Sequence, residues 1–284
     1  MPSAKATVHG AISIVNAIAT GKGATLGISL KVETTIETLP GKGIVIESDN
    51  QSLSSRLINR TIQKVVSKKD LDKTKLRVLL KSEIPTGYGL KSSSAISSSV
   101  ALACVKLFKP KVNDHQVLLA GVDASIETKV SITGAYDDAC ACYYGGFVVT
   151  DNYKRKIIRS DKGPKNLIAV IFVPRFHKRG NVKKLKTLDT VFAKAWQLAR
   201  NSDYWNAMIL NGLATSSILN SDPKIIPDLI EKGAIGASVS GNGPAIAAVT
   251  KQENLSKIKK VFSNLEGKII VSEINNKKAE VHEL

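Results

Sequence analysis

The chain has 284 residues, 43% hydrophobic and 23% charged, enough for one large or two ordinary globular domains around a sizeable core. No apolar run reaches the about 18–20 residues of a membrane span. The opening MPSAKATVHGAISIVNAIATGKG lacks the layout of a signal peptide, so a cytoplasmic protein is expected. The formal net charge of +17 comes mostly from lysines spread along the chain without interleaved aromatics; this reads as a solvated surface that attracts anionic substrates, and nucleic acid is not expected as a partner.

Residues 28–37 (ISLKVETTIE) alternate as a strand does, and GIVIES at 43–48 follows the LPGKG turn as a second strand. From 53 to 66, Leu53, Leu57, Ile58, Ile62 and Val65 recur at helical spacing. LRVLLKSEI (76–84) is a strand ended by Pro85 and Gly87, and a helix follows from about Ser92 to Leu107. DHQVLLAGVDASIET forms a further helix with Asp114 as N-cap. Cys140 and Cys142 sit among small apolar neighbours and, with Cys104, read as buried thiols rather than metal ligands. The polar stretch 153–166 carries Gly-Pro and reads as a linker or hairpin tip, before a buried strand at 167–174. Helices over 183–200 and 204–220, a strand–turn–strand at 235–249, a helix near 254–264 and a strand at 268–273 complete the chain. The outcome is α+β, with two domains divided near residue 160.

IPTGYGLKSSSAISSSVALA (84–103) carries the chemistry. Gly87 and Gly89 let backbone approach a ligand, because no Cβ blocks it. The helix start beyond them offers unpaired N–H groups and partial positive charge. Ser92, Ser93 and Ser94 put three hydroxyls there, where one would suffice as a cap. The segment is not a Walker A loop, since Leu90 precedes Lys91 where that motif needs glycine, and GKGAT (21–25) fails as well.

PTGYGLKSSSA (85–95) resembles the second motif of the GHMP kinases, the galactokinase, homoserine kinase and mevalonate kinase superfamily. Lys91 replaces a usual glycine, and Ser94 stands where the first alanine is usual. GAYDDACACYYGG (134–146) is similar to the segment carrying the acidic residue, and SVSGNGPAIAAV (238–249) to the third, glycine-rich motif. The resemblance implies a ribosomal-protein-S5-like N-terminal domain (1–160), a ferredoxin-like C-terminal domain (161–284), and ATP with Mg²⁺ in the cleft. It places ATP against Pro85, Gly87, Tyr88, Gly89, Leu90, Lys91, Ser92, Ser93, Ser94, Ala95, Gly241 and Gly243. Ser93 and Glu127 would hold Mg²⁺. Asp138, selected over Asp137 by its distance from Gly145-Gly146, would accept or orient the proton of the attacking hydroxyl. Of the two adjacent aspartates, one is expected to face solvent, because like charges facing inward raise a pKa.

HGAISIVNAIATGKGATLGISL (9–30) is similar to the opening of the archaeal shikimate kinase branch. That implies ATP-dependent phosphorylation of the 3-hydroxyl of shikimate, on the route to chorismate and aromatic amino acids. Asn16 and Lys22 are the expected acceptor contacts, with Asp138; Arg175, Lys178 and Arg179 are further cationic candidates, and His9 reads as a hydrogen-bonded structural histidine. The first-motif lysine of mevalonate kinase-like members aligns with Ala11, and neither Lys5 nor Lys22 is in register to replace it. Homoserine kinase is the rival enzyme, although the first motif offers no acid for its ammonium. A basic, S5-like nucleic-acid-binding protein is the rival from another class.

Overall fold

The computed structural model describes residues 2–49, 54–176 and 180–284. Two sheets organise it. The first has seven strands: β1 (Ser3–Val15), β2 (Lys22–Pro40), β3 (Gly43–Ser48), β4 (Thr74–Ser82), β5 (Phe147–Asp151), β6 (Lys156–Asp161) and β11 (Glu280–Glu283). Its main path runs β11-β1-β2-β4-β3, with β5 added to the near end of β2 and β6 to β5. Only the β3–β4 pair is parallel. The second sheet is antiparallel, in the order β10-β7-β9-β8, from β7 (Leu167–Pro174), β8 (Ala234–Val239), β9 (Ile246–Lys251) and β10 (Gly267–Glu273). The chain leaves the first sheet at Asp161, enters the second at Leu167, and returns its last strand to pair with β1.

The helices follow the apolar pattern. α1 (Ser55–Val65) buries Leu57, Ile58, Thr61, Ile62 and Val65 and is capped by Ser54, whose side chain accepts from the Leu57 N–H; Leu53, expected at its start, lies outside the described residues. A short α2 (Lys68–Leu71) precedes β4. α3 (Ser92–Phe108) is buried on nearly all sides, packed against β1, β2, α1, α4 and α5. Its run of serines and alanines suits that position, because small side chains let many neighbours approach one helix. α4 (Asp114–Glu127) starts one residue away from expectation. Asn113 is the N-cap, in a reciprocal capping box with Gln116, while Asp114 sits in the first turn and accepts from the Tyr143 hydroxyl at 2.8 Å. α5 (Tyr136–Tyr144) leads into β5.

Beyond residue 160 the elements differ mainly in number. The polar stretch 153–166 contains β6 as well as its Gly-Pro loop. The helix expected over 183–200 is a 3-10 turn (Val182–Leu188) followed by α6 (Asp189–Arg200); α7 (Tyr204–Ile218), α8 (Ile225–Glu231) and α9 (Leu255–Val261) follow. One hydrophobic cluster runs from Ala6 and Val8 of β1 to Ala169 of β7, Met208 of α7 and Val249 of β9. Phe147 of β5 stacks on Tyr204 of α7 with ring centroids 3.8 Å apart. The two sheets are therefore joined by core, and the second half of β1, buried at every position from Gly10 to Val15, lies in that join.

Candidate active site

A cleft of about 340 Å³ opens where the three glycine- and serine-rich segments meet. Its walls come from the end of β1 (Ser13, Asn16), the loop before α3 and its first turn (Thr86 to Ser94), the start of α5 (Asp137, Asp138), and the β8–β9 turn (Gly241 to Gly243). The N-terminus of α3 faces this space with no side-chain cap, leaving first-turn N–H groups available to an anion.

The loop is set by close backbone approach. Gly89 has φ +81°, and a Cβ there would lie 1.9 Å from the Ser240 carbonyl oxygen, so only glycine allows the β8–β9 turn this near. Ser240 seals the contact by donating to the Gly89 carbonyl at 2.8 Å and accepting from the Ser13 N–H at 3.2 Å. Asn16 locks the first strand to the same turn: Nδ2 donates to the Gly241 carbonyl at 2.7 Å, and Oδ1 accepts from the Ile18 N–H. The Asn16 N–H in turn donates to Asn211 Oδ1 of α7 at 2.8 Å.

The charged centre lies opposite the helix start. Lys91 Nζ is 2.9 Å from Asp138 Oδ1 and donates to Ser13 Oγ at 2.8 Å, with the lysine side chain 4% exposed and the aspartate side chain 17% exposed. Asp137 is buried beside it. Asn152 Nδ2 donates to Asp137 Oδ1 at 2.8 Å, while Asn152 Oδ1 accepts the Asp137 N–H, so one amide serves both the carboxyl and an open N–H of α5. Thr25 Oγ1 lies 3.3 Å from Asp137 Oδ2 and 3.3 Å from Asp138 Oδ1. One hydroxyl proton cannot serve two carboxylates. The arrangement is satisfied when Asp137 carries a proton and donates to Thr25, and Thr25 donates to Asp138. Consistently, burial first and the neighbouring Asp138 charge second push the Asp137 carboxyl up to about 7, against the opposing effects of Lys91 and Asn152. Gly23 makes room for this carboxyl, since a Cβ would stand 2.1 Å from Asp137 Oδ2.

The structure brings together Asp138, Asn16, Gly87, Gly89, Leu90, Lys91, Ser92, Ser93, Ser94, Gly241 and Gly243 of the expected residues. Others stand elsewhere. Pro85 bounds the loop, Ala95 is fully buried in the core, and Tyr88 packs against the core with its carbonyl accepting from the Ala245 N–H. Lys22 leaves the cleft to lie over the Trp196 ring, 4.9 Å from its centroid. Glu127 is not on the cleft wall; Lys64 first and Arg60 second, both of α1, bind its carboxylate on the outer surface and hold it below the usual range. Arg175 is exposed against Phe176, and Lys178 and Arg179 lie outside the described residues. His9 is half-buried away from the cleft, and its Nδ1 has no hydrogen-bond partner among the described residues, unlike the expectation; burial holds its pKa down.

Two expectations change in kind. Neither aspartate of the pair faces away from the site: Asp137 is 3% exposed and Asp138 lines the cleft, because protonation of one removes the like-charge cost. The lysine missing from the first strand is also not missing from the site. Ala11 is fully buried and Lys5 pairs with Glu33, but Lys91 enters from the second motif. Ser13, Thr25, Asp137 and Asn152 are the residues that spacing did not single out. For Ser13 and Thr25 the signal is the inward register of β1 and β2, legible only once those strands are paired; Asp137 on α5 and Asn152 just after β5 meet only in the fold.

For Mg²⁺ the donor set is sparse. Ser93 offers a hydroxyl at the cleft, and no group of three or more His, Cys, Asp or Glu side chains suited to a metal occurs among the described residues. This fits an ion held chiefly by phosphate oxygens and water, as Mg²⁺ commonly is.

Residues 56–146 match the GHMP kinases N terminal domain. A shikimate kinase from Methanothrix thermoacetophila is 35% identical over 275 residues, covering 96% of this chain and 94% of its own. Another from Methanobrevibacter smithii is 34% identical, covering 94% and 95%. Among solved structures, homoserine kinase from Cytophaga hutchinsonii superposes with a TM-score of 0.77 at 21% identity, over 99% of this chain and 97% of that one. The last likeness establishes the GHMP kinase fold. Identity above 30% along nearly the whole of both sequences establishes more: the chain belongs to the archaeal shikimate kinase family of the GHMP kinases.

Proposed function

We infer that the protein transfers the γ-phosphoryl group of ATP to the 3-hydroxyl of shikimate, giving shikimate 3-phosphate and ADP. The observation that carries this reading is the Asp138 carboxylate standing across one cleft from the uncapped start of α3. Phosphoryl transfer asks the protein for positioning and charge neutralisation more than covalent participation. The N–H groups at Ser92 to Ser94 and their hydroxyls receive the triphosphate; Gly87 and Gly89 keep side chains out of its way. Ser93 would hold Mg²⁺, which neutralises phosphate charge when bound. Asp138 accepts a hydrogen bond from the attacking hydroxyl and takes its proton as the new O–P bond forms. Thr25 and Lys91 fix the carboxylate's orientation, and Asn152 fixes Asp137 behind it. Asn16 ties β1 to the β8–β9 turn and so shapes the acceptor side of the cleft.

A homoserine kinase reading has the fold in its favour, but the cleft wall offers no carboxylate besides the Asp137–Asp138 pair among the described residues, so an ammonium group has no separate partner there. The test is ADP release from Mg·ATP with shikimate, homoserine and mevalonate offered separately. Turnover confined to shikimate is expected. Turnover with homoserine or mevalonate and none with shikimate would refute the acceptor assignment.

A further inference from the structure

An edge strand presents a row of open N–H and C=O groups, and proteins guard such edges with charges, prolines, bulges or a covering element. Most edges here are guarded. β10 carries Lys268, β6 carries Lys156 and Arg159, β11 carries Glu280 and Glu283, and β8 packs against α7 and α8. β3 stands apart. It ends the main path of the first sheet, pairs with β4 in unbroken register, and places no lysine, proline or bulge along GIVIES. Val45 at its centre is 40% exposed. Along an extended strand the N–H and C=O of one residue point to the same side, and successive residues alternate. The Asp49 N–H donates to the Leu80 carbonyl, so the odd-numbered residues of β3 spend their backbone groups on β4. Ile44 and Ile46 therefore turn theirs to the free side of the sheet.

That spacing is complementary to itself. A second β3 run antiparallel, Val45 opposite Val45, sets Ile44 of each copy opposite Ile46 of the other, both as reciprocally hydrogen-bonded pairs. Val45 meets its counterpart in the closer, non-hydrogen-bonded position, where side chains touch best. Gly43 falls opposite Glu47 of the second copy. A Cβ at Gly43 would meet no atom within 4 Å, so an incoming carboxylate has room. Lys75, the β4 neighbour of Gly43, makes no ion pair among the described residues and is placed to receive it. Within the protomer Lys42 pairs with Asp72, and Arg77 with Glu47 and Glu37. With Lys75 these charges balance, on a chain whose net charge is +17. On the core side of the edge, Ile44, Asn59, Gln63 and Leu71 line a groove of about 350 Å³, beside the position that Ile46 of the second copy takes. We propose that β3 is a homodimer interface: two copies of this chain join their main sheets edge to edge through antiparallel β3 strands, about a twofold axis at Val45. A twofold contact uses one surface on both copies, and this strip answers itself in hydrogen bonds, shape and charge. The interface is small, so association is weak and concentration-dependent. β3 does not line the cleft, and each protomer keeps its own site.

Sedimentation velocity of the full chain over a wide concentration series tests this, comparing wild type, Val45→Lys, Val45→Glu and an equimolar mixture of the two variants. Thermal melts establish that each variant is folded. Wild type is expected to pass from monomer to dimer as concentration rises. Each variant alone sets like charges directly opposite and weakens the dimer by about tenfold or more, while the mixture sets opposite charges there and restores it. Val45→Cys gives an independent readout, because Cys104, Cys140 and Cys142 are buried. With copper–phenanthroline as oxidant, its disulfide-linked dimer is expected to form faster than that of Val271→Cys, a similarly exposed position on β10, since the closer cross-strand pair suits a disulfide. The inference is overturned if wild type stays monomeric throughout, or if Val45→Lys dimerises as wild type does. Equal cross-linking at the two positions would overturn it as well, because it would report random collision.

Discussion

At the scale of single residues, Asp137 gives the clearest pH signature. The folded protein keeps its proton up to about pH 7, whereas the unfolded chain releases it near 3.8. Between those values the folded state binds more protons, so stability falls as pH rises through the window. The charged groups acting on it are Asp138 on the same helix and Lys91 from the loop before α3. Asp137→Asn keeps the shape and donates to Thr25 as the protonated acid does. It is expected to be more stable than wild type at pH 8 by ~1–3 kcal/mol, with the gain shrinking toward pH 4. Thermal melts at several pH values check this, and a difference that does not vary with pH would show that Asp137 titrates normally. The residue scale is also where spacing along the chain was least informative. The distance to Gly145-Gly146 picked Asp138, which does line the cleft. The resemblance implied Glu127 as a Mg²⁺ ligand as well, yet its carboxylate is claimed by Arg60 and Lys64, more than sixty residues earlier, and no local pattern encodes that contact. Lys91 stood in a quoted motif, but the motif does not encode its left-handed backbone or its inward contacts with Asp138 and Ser13.

At the scale of elements, the site depends on how closely two loops approach. Gly89→Ala puts a Cβ into the Ser240 carbonyl and a side chain at φ +81°, so the pre-α3 loop and the β8–β9 turn must separate. The expected cost is roughly 2–4 kcal/mol of stability. Turnover should fall with it, because Ser13, Lys91 and Gly241 are bonded through this contact. Denaturant unfolding and kcat measured together test it; near-wild-type values of both would mean that the loops need not touch. Several elements were readable beforehand for physical reasons. α1 shows one apolar stripe, β7 is a continuous apolar run, and Gly-Asn-Gly-Pro marks the turn between β8 and β9. β1 was not assigned, since its second half is buried on both faces and so loses the two-residue alternation that identifies a strand. β2 proved longer than its alternating part for the same reason: residues 23–28 are buried throughout. β11 is four residues long and is defined by its partner β1.

At the scale of the whole molecule, the cleft exists because distant parts of one chain share a core. β1 and β2 carry Ser13, Asn16 and Thr25, α5 brings Asp137 and Asp138, and the β8–β9 turn closes the wall. α3 presents its open N-terminus to them. Of the cations behind the +17 net charge, Lys91 is the one on the cleft wall among the described residues, which accords with a basic surface that attracts anionic substrates and a site that positions them. The general α+β character and the order of the three motifs were legible in the sequence; how the segments converge was not, since hydrogen bonds such as Asn16 to Gly241 and Ser13 to Ser240 join residues more than two hundred positions apart. The central claim is that this convergence makes Asp138 the group that handles the acceptor's proton while α3 holds the nucleotide. It is tested most directly by measuring shikimate-dependent ADP release and ATP affinity in Asp138→Ala. The account predicts a loss of about 10²–10⁴-fold in kcat with ATP affinity nearly intact; turnover at the wild-type rate would contradict it.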